Sequence, residues 1–285
     1  MGFKLVMSDL DGTLLNSEAL VTKEAISAVR RAEELGAIFA ICSGRDQNSL
    51  AMYERLLGTD SPGHYSVGYN GGLVYECGGK ILAESRIPKE LGLELAKELK
   101  KLGLFPWVFA GSKIYAETEW TIDDDYTKSI KTPVSVVESF NEIQEDFSKI
   151  IARGERSDLV AKQEIMKKII GDRACISFSH PTILCISSRD AHKGRALEIL
   201  AEHLGISKAD TLAIGDNTND VTMLKAAGLG VAVGNAFPEA MLAADVILNE
   251  TNDKNAVGVA IERFLAQEID VAKPAKRFEG SNKMP

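Results

Sequence analysis

The sequence predicts an α/β protein, a doubly wound and largely parallel sheet interrupted by an inserted α+β unit. Three observations carry that expectation. Near the amino terminus an apolar strand, an amphipathic helix and a second apolar strand follow one another, the order of a right-handed parallel crossover. Mid-chain the pattern changes to two-residue alternation around glycine turns, as antiparallel strands require. After Lys193 the strand–helix rhythm returns. At 285 residues and 45% hydrophobic content, the chain exceeds the usual size of one domain and can bury a large core.

Taken in order, Phe3, Leu5, Val6 and Met7 form a short apolar run that reads as a buried parallel strand. Asp9 stands at its carboxyl end, where open α/β sheets bind ligands, and Gly12 permits a sharp turn. Thr22 caps a helix whose Ala25, Ile26, Val29 and Ala32 recur at helical spacing and which stops before Gly36. A second strand follows from Ala37 to Cys42. Leu73 to Cys77 and Lys80 to Glu84 flank Gly78-Gly79 as a hairpin. Trp107 to Ala110 and Lys113 to Glu117 alternate as strands, helical runs fall at Pro88 to Leu102 and near Asp158 to Ile170, and Cys175 to Ser187 reads as further strand. A helix to Leu204, a strand at Thr211 to Ile214, a helix from Asn219, strands at Leu229 to Val233 and Val246 to Leu248, and a helix to Ala266 complete the pattern. The expected division is a discontinuous core, 1–80 and 191–271, with an insertion at 81–190 and a flexible tail at 272–285.

A net charge of −8, with the basic residues dispersed among acids, argues against a nucleic-acid surface. Cys42, Cys77, Cys175 and Cys185 lack C-x-x-C spacing and lie in apolar runs, so buried reduced thiols are expected. The four histidines, His64, His180, His192 and His203, are scattered and suggest no metal cluster. No leader pattern or membrane-length apolar run is visible, which makes the cytoplasm the expected compartment, and both monomer and homodimer stay open.

The chemistry is concentrated in four segments. In Met7 to Ser17, MSDLDGTLLNS, Asp9 and Asp11 lie one residue apart where a strand meets a Gly-Thr turn. Such a pair suits two jobs: attack on phosphorus to form an aspartyl-phosphate, and protonation of the leaving oxygen followed by activation of water. An Asp-Gly turn alone is commonplace, but the whole string is far more specific. At the end of the second strand, the Ser43 hydroxyl and the Gly44 amide can reach a phosphate oxygen, while Arg45 is open between steering anions and a structural ion pair. Lys193, before a helix, puts an ammonium beside free backbone N–H groups. The string Gly215-Asp216-Asn217-Thr218-Asn219-Asp220 gathers oxygen ligands at the same sheet edge, a donor set that suits Mg2+.

These four segments, in this order, resemble the motifs of the haloacid dehalogenase (HAD) superfamily of phosphatases, and within it the Cof-type subfamily. The resemblance implies a Rossmann-like core with a C2-type cap inserted between the second and third motifs. It further implies Asp9 as nucleophile, Asp11 as general acid and base, and phosphate contacts from Ser43, Gly44, Lys193 and Asn219. Asp9, the Asp11 backbone carbonyl and Asp216 are the implied metal ligands, with Asp220 holding a metal-bound water or Lys193. Tyr69-Asn70-Gly71-Gly72 resembles the Asn-Gly-Ala of Cof-type members, with Gly72 in place of Ala, and Asn70 is expected to help set the hinge. Val233-Gly234-Asn235-Ala236 and the Thr251-Asn252-Asp253 string also resemble family segments, though Asn255-Ala256 departs from the usual acidic residue and Gly.

The implied activity is a Mg2+-dependent phosphatase acting on small phosphorylated metabolites, with sugar phosphates favoured. A hexose phosphomutase is the nearest alternative. A non-catalytic binding protein requires damage to Asp9, Asp11 or Asp216, and all three are intact. Dehalogenase relatives lack the second aspartate supplied here by Asp11. Trp107, Trp120 and Asp123-Asp124-Asp125 in the insertion read as core and solvated loop rather than as sites.

Overall fold

The computed structural model describes residues 2–118, 130–180 and 182–266. Trp120, the Asp123-Asp124-Asp125 run and the 272–285 tail lie outside them. The first part of the chain forms β1 (Leu5–Ser8), α1 (Lys23–Glu34), β2 (Ile38–Cys42), α2 (Gln47–Leu57), β3 (Tyr65–Gly68), β4 (Leu73–Glu76) and β5 (Lys80–Glu84). The middle forms α3 (Lys89–Lys101), β6 (Trp107–Ala110), β7 (Lys113–Ala116), β8 (Val134–Val136), β9 (Phe147–Arg153), α4 (Arg156–Ile170), β10 (Ala174–His180) and β11 (Ile183–Ser188). The last part forms α5 (Lys193–His203), β12 (Thr211–Gly215), α6 (Val221–Ala226), β13 (Leu229–Ala232), α7 (Pro238–Ala243), β14 (Val246–Ile247) and α8 (Ala256–Ile261).

Two sheets result. The first runs β14-β13-β12-β1-β2-β3-β4-β5, parallel from β14 to β3, with β4 and β5 added antiparallel at one edge. β1 is fully buried and lies between β2 and β12, so the chain leaves it at the centre of the sheet, where crossovers diverge and a ligand crevice opens. The Thr22 side chain caps α1 by accepting from Ala25 N, and Ala25, Val29 and Ala32 bury its apolar stripe against the sheet. Asp46 caps α2 by accepting from Ser49 N at 3.0 Å.

The second sheet runs β10-β11-β9-β6-β7-β8, antiparallel except for β7 and β8. One face packs α3 and α4 around Leu95, Phe147, Ile150, Leu159 and Met166. The other face closes on the first sheet, with Trp107, Phe109, Ile151 and Cys185 packed with Tyr69, Leu73 and Tyr75. Burying an apolar side chain such as Leu73, Phe109 or Ile151 contributes roughly 1.5–3 kcal/mol, so this shared cluster stabilises the closed arrangement.

Several details differ from the sequence reading. The run from Cys175 to Ser187 is two antiparallel strands, β10 and β11, and the polar, proline-containing stretch Ser179-His180-Pro181-Thr182 is the sequence mark of the break between them. α2, β3, β8, β9 and α7 emerge only in the structure; the apolar run of β9 is broken in sequence by Lys149, which is nevertheless 2% exposed. β5 straddles the expected junction at 80/81 and belongs to the first sheet. Among the described residues, no helix is long and apolar enough to cross a membrane, and the four cysteines are free thiols.

Candidate active site

The site lies at the carboxyl ends of β1, β2 and β12. After β1 the chain enters an irregular turn over Leu10–Leu14, in which Gly12 has a φ of +81°. A Cβ at Gly12 would stand 2.7 Å from Asp216 Oδ2, so only glycine lets this turn lie against that carboxylate. The Thr13 hydroxyl donates to Asp216 Oδ1 at 2.6 Å, a contact the sequence reading missed although Thr13 belongs to the same string. Three side chains brace the loop from the far end of the chain. Asn235 Nδ2 donates to the Gly12 carbonyl, Asn252 Nδ2 to the Leu15 carbonyl, and Asp253 Oδ1 accepts from Ser17 N.

Lys193 opens α5. His192, to which the sequence assigns no role, caps that helix through Nδ1, which accepts from Arg195 N. The Lys193 ammonium is wholly buried and donates to Asp9 Oδ1 and to Asp220 Oδ1, both at 2.6 Å. Asp220 Oδ2 accepts from the backbone N–H groups of Asp216 and Asn217, each at 2.9 Å, so both of its oxygens are engaged. Burial works against the Lys193 charge, but Asp220 and Asp9 outweigh it and hold the ammonium protonated well above the usual range. Asp9 is pushed well above the ordinary carboxylate range by burial and then by Asp220. Asp216 is pushed up to about 7 by the same two causes.

Carboxylate oxygens of Asp9, Asp216 and Asp220 lie within 4.8 Å of one another, and all three residues are buried. Three carboxylates against one ammonium leave two negative charges in excess, the charge that one divalent cation supplies. An all-oxygen donor set of this kind fits Mg2+. Since Asp220 is already occupied by Lys193 and two amides, Asp9 and Asp216 have the freer oxygens.

The other expected residues lie around this cluster. Ser43 is buried directly after β2, and its hydroxyl accepts from Arg45 N. Arg45 is an ion-pair partner in this structure: its guanidinium grips the Asp11 carboxylate through Nε at 2.8 Å and a terminal nitrogen at 2.7 Å. Asn219 Nδ2 donates to Asn70 Oδ1 at 2.9 Å. From the second sheet, Lys149 Nζ donates to the Gly44 carbonyl at 2.8 Å, over the rings of Phe109 and Tyr69. Thr132 bonds Asp46 and Asn48 at the start of α2. Neither Lys149 nor Thr132 stands out in sequence, since only the fold brings them to the loop between β2 and α2.

A sheet edge carrying this carboxylate–lysine cluster under a covering unit defines a phosphoryl-transfer hydrolase of the α/β class. The chain matches the family model of haloacid dehalogenase-like hydrolases over residues 6–261. It is similar to the phosphatase YwpJ of Bacillus subtilis, 28% identical over 92% of this chain and 100% of that relative. The 5-amino-6-(5-phospho-D-ribitylamino)uracil phosphatase YwtE of the same organism is 27% identical over 92% of this chain and 98% of its own. Among solved structures, a haloacid dehalogenase-like hydrolase from Bacteroides thetaiotaomicron superposes with a TM-score of 0.79 at 28% identity, covering 92% of this chain and 99% of that one. The chain belongs to the haloacid dehalogenase-like hydrolases and is a phosphomonoester hydrolase of that family.

Proposed function

We propose that this chain is a Mg2+-dependent phosphatase that hydrolyses small phosphorylated metabolites, sugar phosphates foremost, through an aspartyl-phosphate. The observation that carries the reading is the Lys193 ammonium held between Asp9 and Asp220, with Asp216 completing the carboxylate cluster. Asp9, Asp216 and the Asp11 carbonyl would hold Mg2+, with Asp220 behind them, and the bound ion supplies Lewis-acid screening of the phosphoryl charge.

Asp9 keeps one carboxylate oxygen on Lys193 and attacks phosphorus in line with the other. As the P–O bond to the alcohol breaks, Asp11 gives its proton to the leaving oxygen. Asp11 then takes a proton from water as the water oxygen bonds to phosphorus, the Asp9–phosphorus bond breaks, and inorganic phosphate leaves. Ser43, the Gly44 amide, Lys193 and Asn219 hold the phosphoryl oxygens throughout. Arg45 grips both Asp11 oxygens in this structure, so Asp11 has to turn off Arg45 before it carries the proton to the leaving oxygen.

These groups handle the phosphoryl end alone, so selection of the alcohol falls to the unit inserted after β5 and ending near Asp190, acting as a cap. The preference for sugar phosphates rests on the Cof-type resemblance and agrees with the relative YwtE, whose name puts the phosphate on a ribityl chain. The free thiols support a reducing compartment, the cytoplasm. A phosphate-release assay over phosphorylated sugars, nucleotides, cofactors and glycolytic acids tests the reading. Sugar phosphates are expected to have the highest kcat/KM, and a flavin or pyridoxal phosphate as sole substrate would overturn the preference. Phosphate release without added bisphosphate separates hydrolase from phosphomutase.

A further inference from the structure

The resemblance gives Asn70 an expected part in the hinge, and its contacts in the structure lie at the site. Asn70 is 4% exposed, and its backbone N–H donates to the Ser43 carbonyl at 2.9 Å. Its side-chain Oδ1 accepts from Asn219 Nδ2, and its Oδ1 and Nδ2 lie against Gly44, where a Cβ would come within 3.0 and 3.3 Å of them. Gly71, with a φ of +101°, is pressed so closely on the residue before Lys193 that a Cβ would stand 2.4 Å from the His192 carbonyl oxygen. One tight turn therefore touches all three segments expected to hold the phosphoryl oxygens.

Within this turn, Asn70 Nδ2 is buried without a protein partner among the described residues, and so is Asn219 Oδ1. Rotating both amides exchanges which residue carries which atom, yet either assignment leaves the pair one unpaired donor and one unpaired acceptor. A buried N–H without an acceptor is a costly arrangement that calls for a partner. Beside Ser43, Gly44 and Lys193, the acceptor that the reaction brings is a phosphoryl oxygen.

We propose that Asn70 is a phosphate-binding residue: the Asn70–Asn219 amide pair turns one side-chain N–H onto the phosphoryl group, and Asn70 fixes Asn219 for the same contact. This rests on the phosphatase reading above. Asn70→Asp keeps size, the Oδ1 acceptor and tolerance of the positive φ of 58°, but replaces the donor by an oxygen; Asn70→Gly removes the amide and relaxes the backbone. The probes are inorganic phosphate as competitive inhibitor and an aryl phosphate as substrate, with the thermal midpoint recorded in parallel. Both variants should raise the phosphate inhibition constant and KM by about tenfold or more, equivalent to about 1.4 kcal/mol. The wild-type rise of the thermal midpoint on adding phosphate should also disappear.

A folded variant that binds phosphate within threefold of wild type overturns the proposal. If neither variant folds, the wild-type protein with 15N-labelled asparagine side chains decides the matter. A buried amide pair that shifts on titration with phosphate supports the assignment, and none shifting refutes it. Failure of the two readings is distinguishable: wild type that turns over the aryl phosphate beside variants with normal phosphate affinity sinks only the Asn70 role. Wild type that binds phosphate through Asn70 but releases none from esters sinks the phosphatase.

Discussion

Two buried lysines, one on each sheet's side of the site, use charge in opposite ways. Lys193 lies between two carboxylates, and its proton is held more tightly than in water. Lys149 has no carboxylate within ion-pair distance among the described residues; it rests on a carbonyl and two aromatic faces, and burial pulls its pKa down. The first arrangement concentrates charge where a dianion must be met. The second fastens a covering sheet to the loop beneath it. On the proposed reading, chemistry and closure fall to different cations, which makes them separable by substitution.

The largest break is expected on the chemical side. Asp9→Asn removes the proposed nucleophile with almost no change of shape, so turnover should fall by about 10⁴-fold or more while the thermal midpoint holds or rises. Phosphate release at a wild-type rate would refute the nucleophile assignment. Chelation should silence the wild type by about 10²-fold or more, and Mg2+ should restore it. Activity indifferent to chelator would remove the metal assignment.

The lysine pair itself gives the sharper contrast. Lys193→Met leaves Asp9 and Asp220 facing each other uncompensated, so kcat/KM should fall about 10²–10³-fold with loss of stability. Lys149→Met removes a buried charge without orphaning a carboxylate, so stability should stay within about 1 kcal/mol, while KM rises several-fold and kcat changes little. Steady-state kinetics and thermal melts on both variants check this, and equal effects would erase the distinction.

The smallest effect lies in pH. Asp9 and Asp216 are both raised above 3.8 in the folded state, Asp216 to about 7, so the folded protein binds more protons than the unfolded chain between those values. The Asp216 contribution to the metal-free protein is therefore complete below pH 3.8 and is lost as pH rises through about 7, and that of Asp9 runs in the same direction. Metal-free Asp216→Asn should melt a few degrees above metal-free wild type at pH 8, since about 1 kcal/mol is worth roughly 2–4 °C at this size. The two curves should approach each other toward pH 5. Added Mg2+ should stabilise wild type at pH 8 and not the variant.

Legibility followed the same division. Asp9, Asp11, Ser43, Lys193 and Asp216 stand at or just after strand ends or at a helix start, positions that periodicity locates, while their expected roles come from the resemblance of the four segments to the haloacid dehalogenase motifs; the parallel core around β1 was accessible from periodicity itself. Residues whose meaning depends on a partner distant in sequence were not. Arg45 has no sign of Asp11 in its surroundings, Thr13 none of Asp216, and Asn70 none of Asn219. Lys149 misled in a second way, since a charge in the middle of FSKIIAR hides a strand whose lysine is buried. The β10–β11 break, by contrast, is marked in sequence by Ser179-His180-Pro181-Thr182, although the apolar stretches on either side read together as strand.

The central claim is that Asp9 itself carries the phosphoryl group. Acid quench of wild-type protein during turnover, followed by proteolysis and mass spectrometry, should find a phosphorylated aspartate at position 9, absent from Asp9→Asn. Rapid turnover with no phosphorylated aspartate at any quench time, or with the label on Asp11 or Asp216, would contradict it.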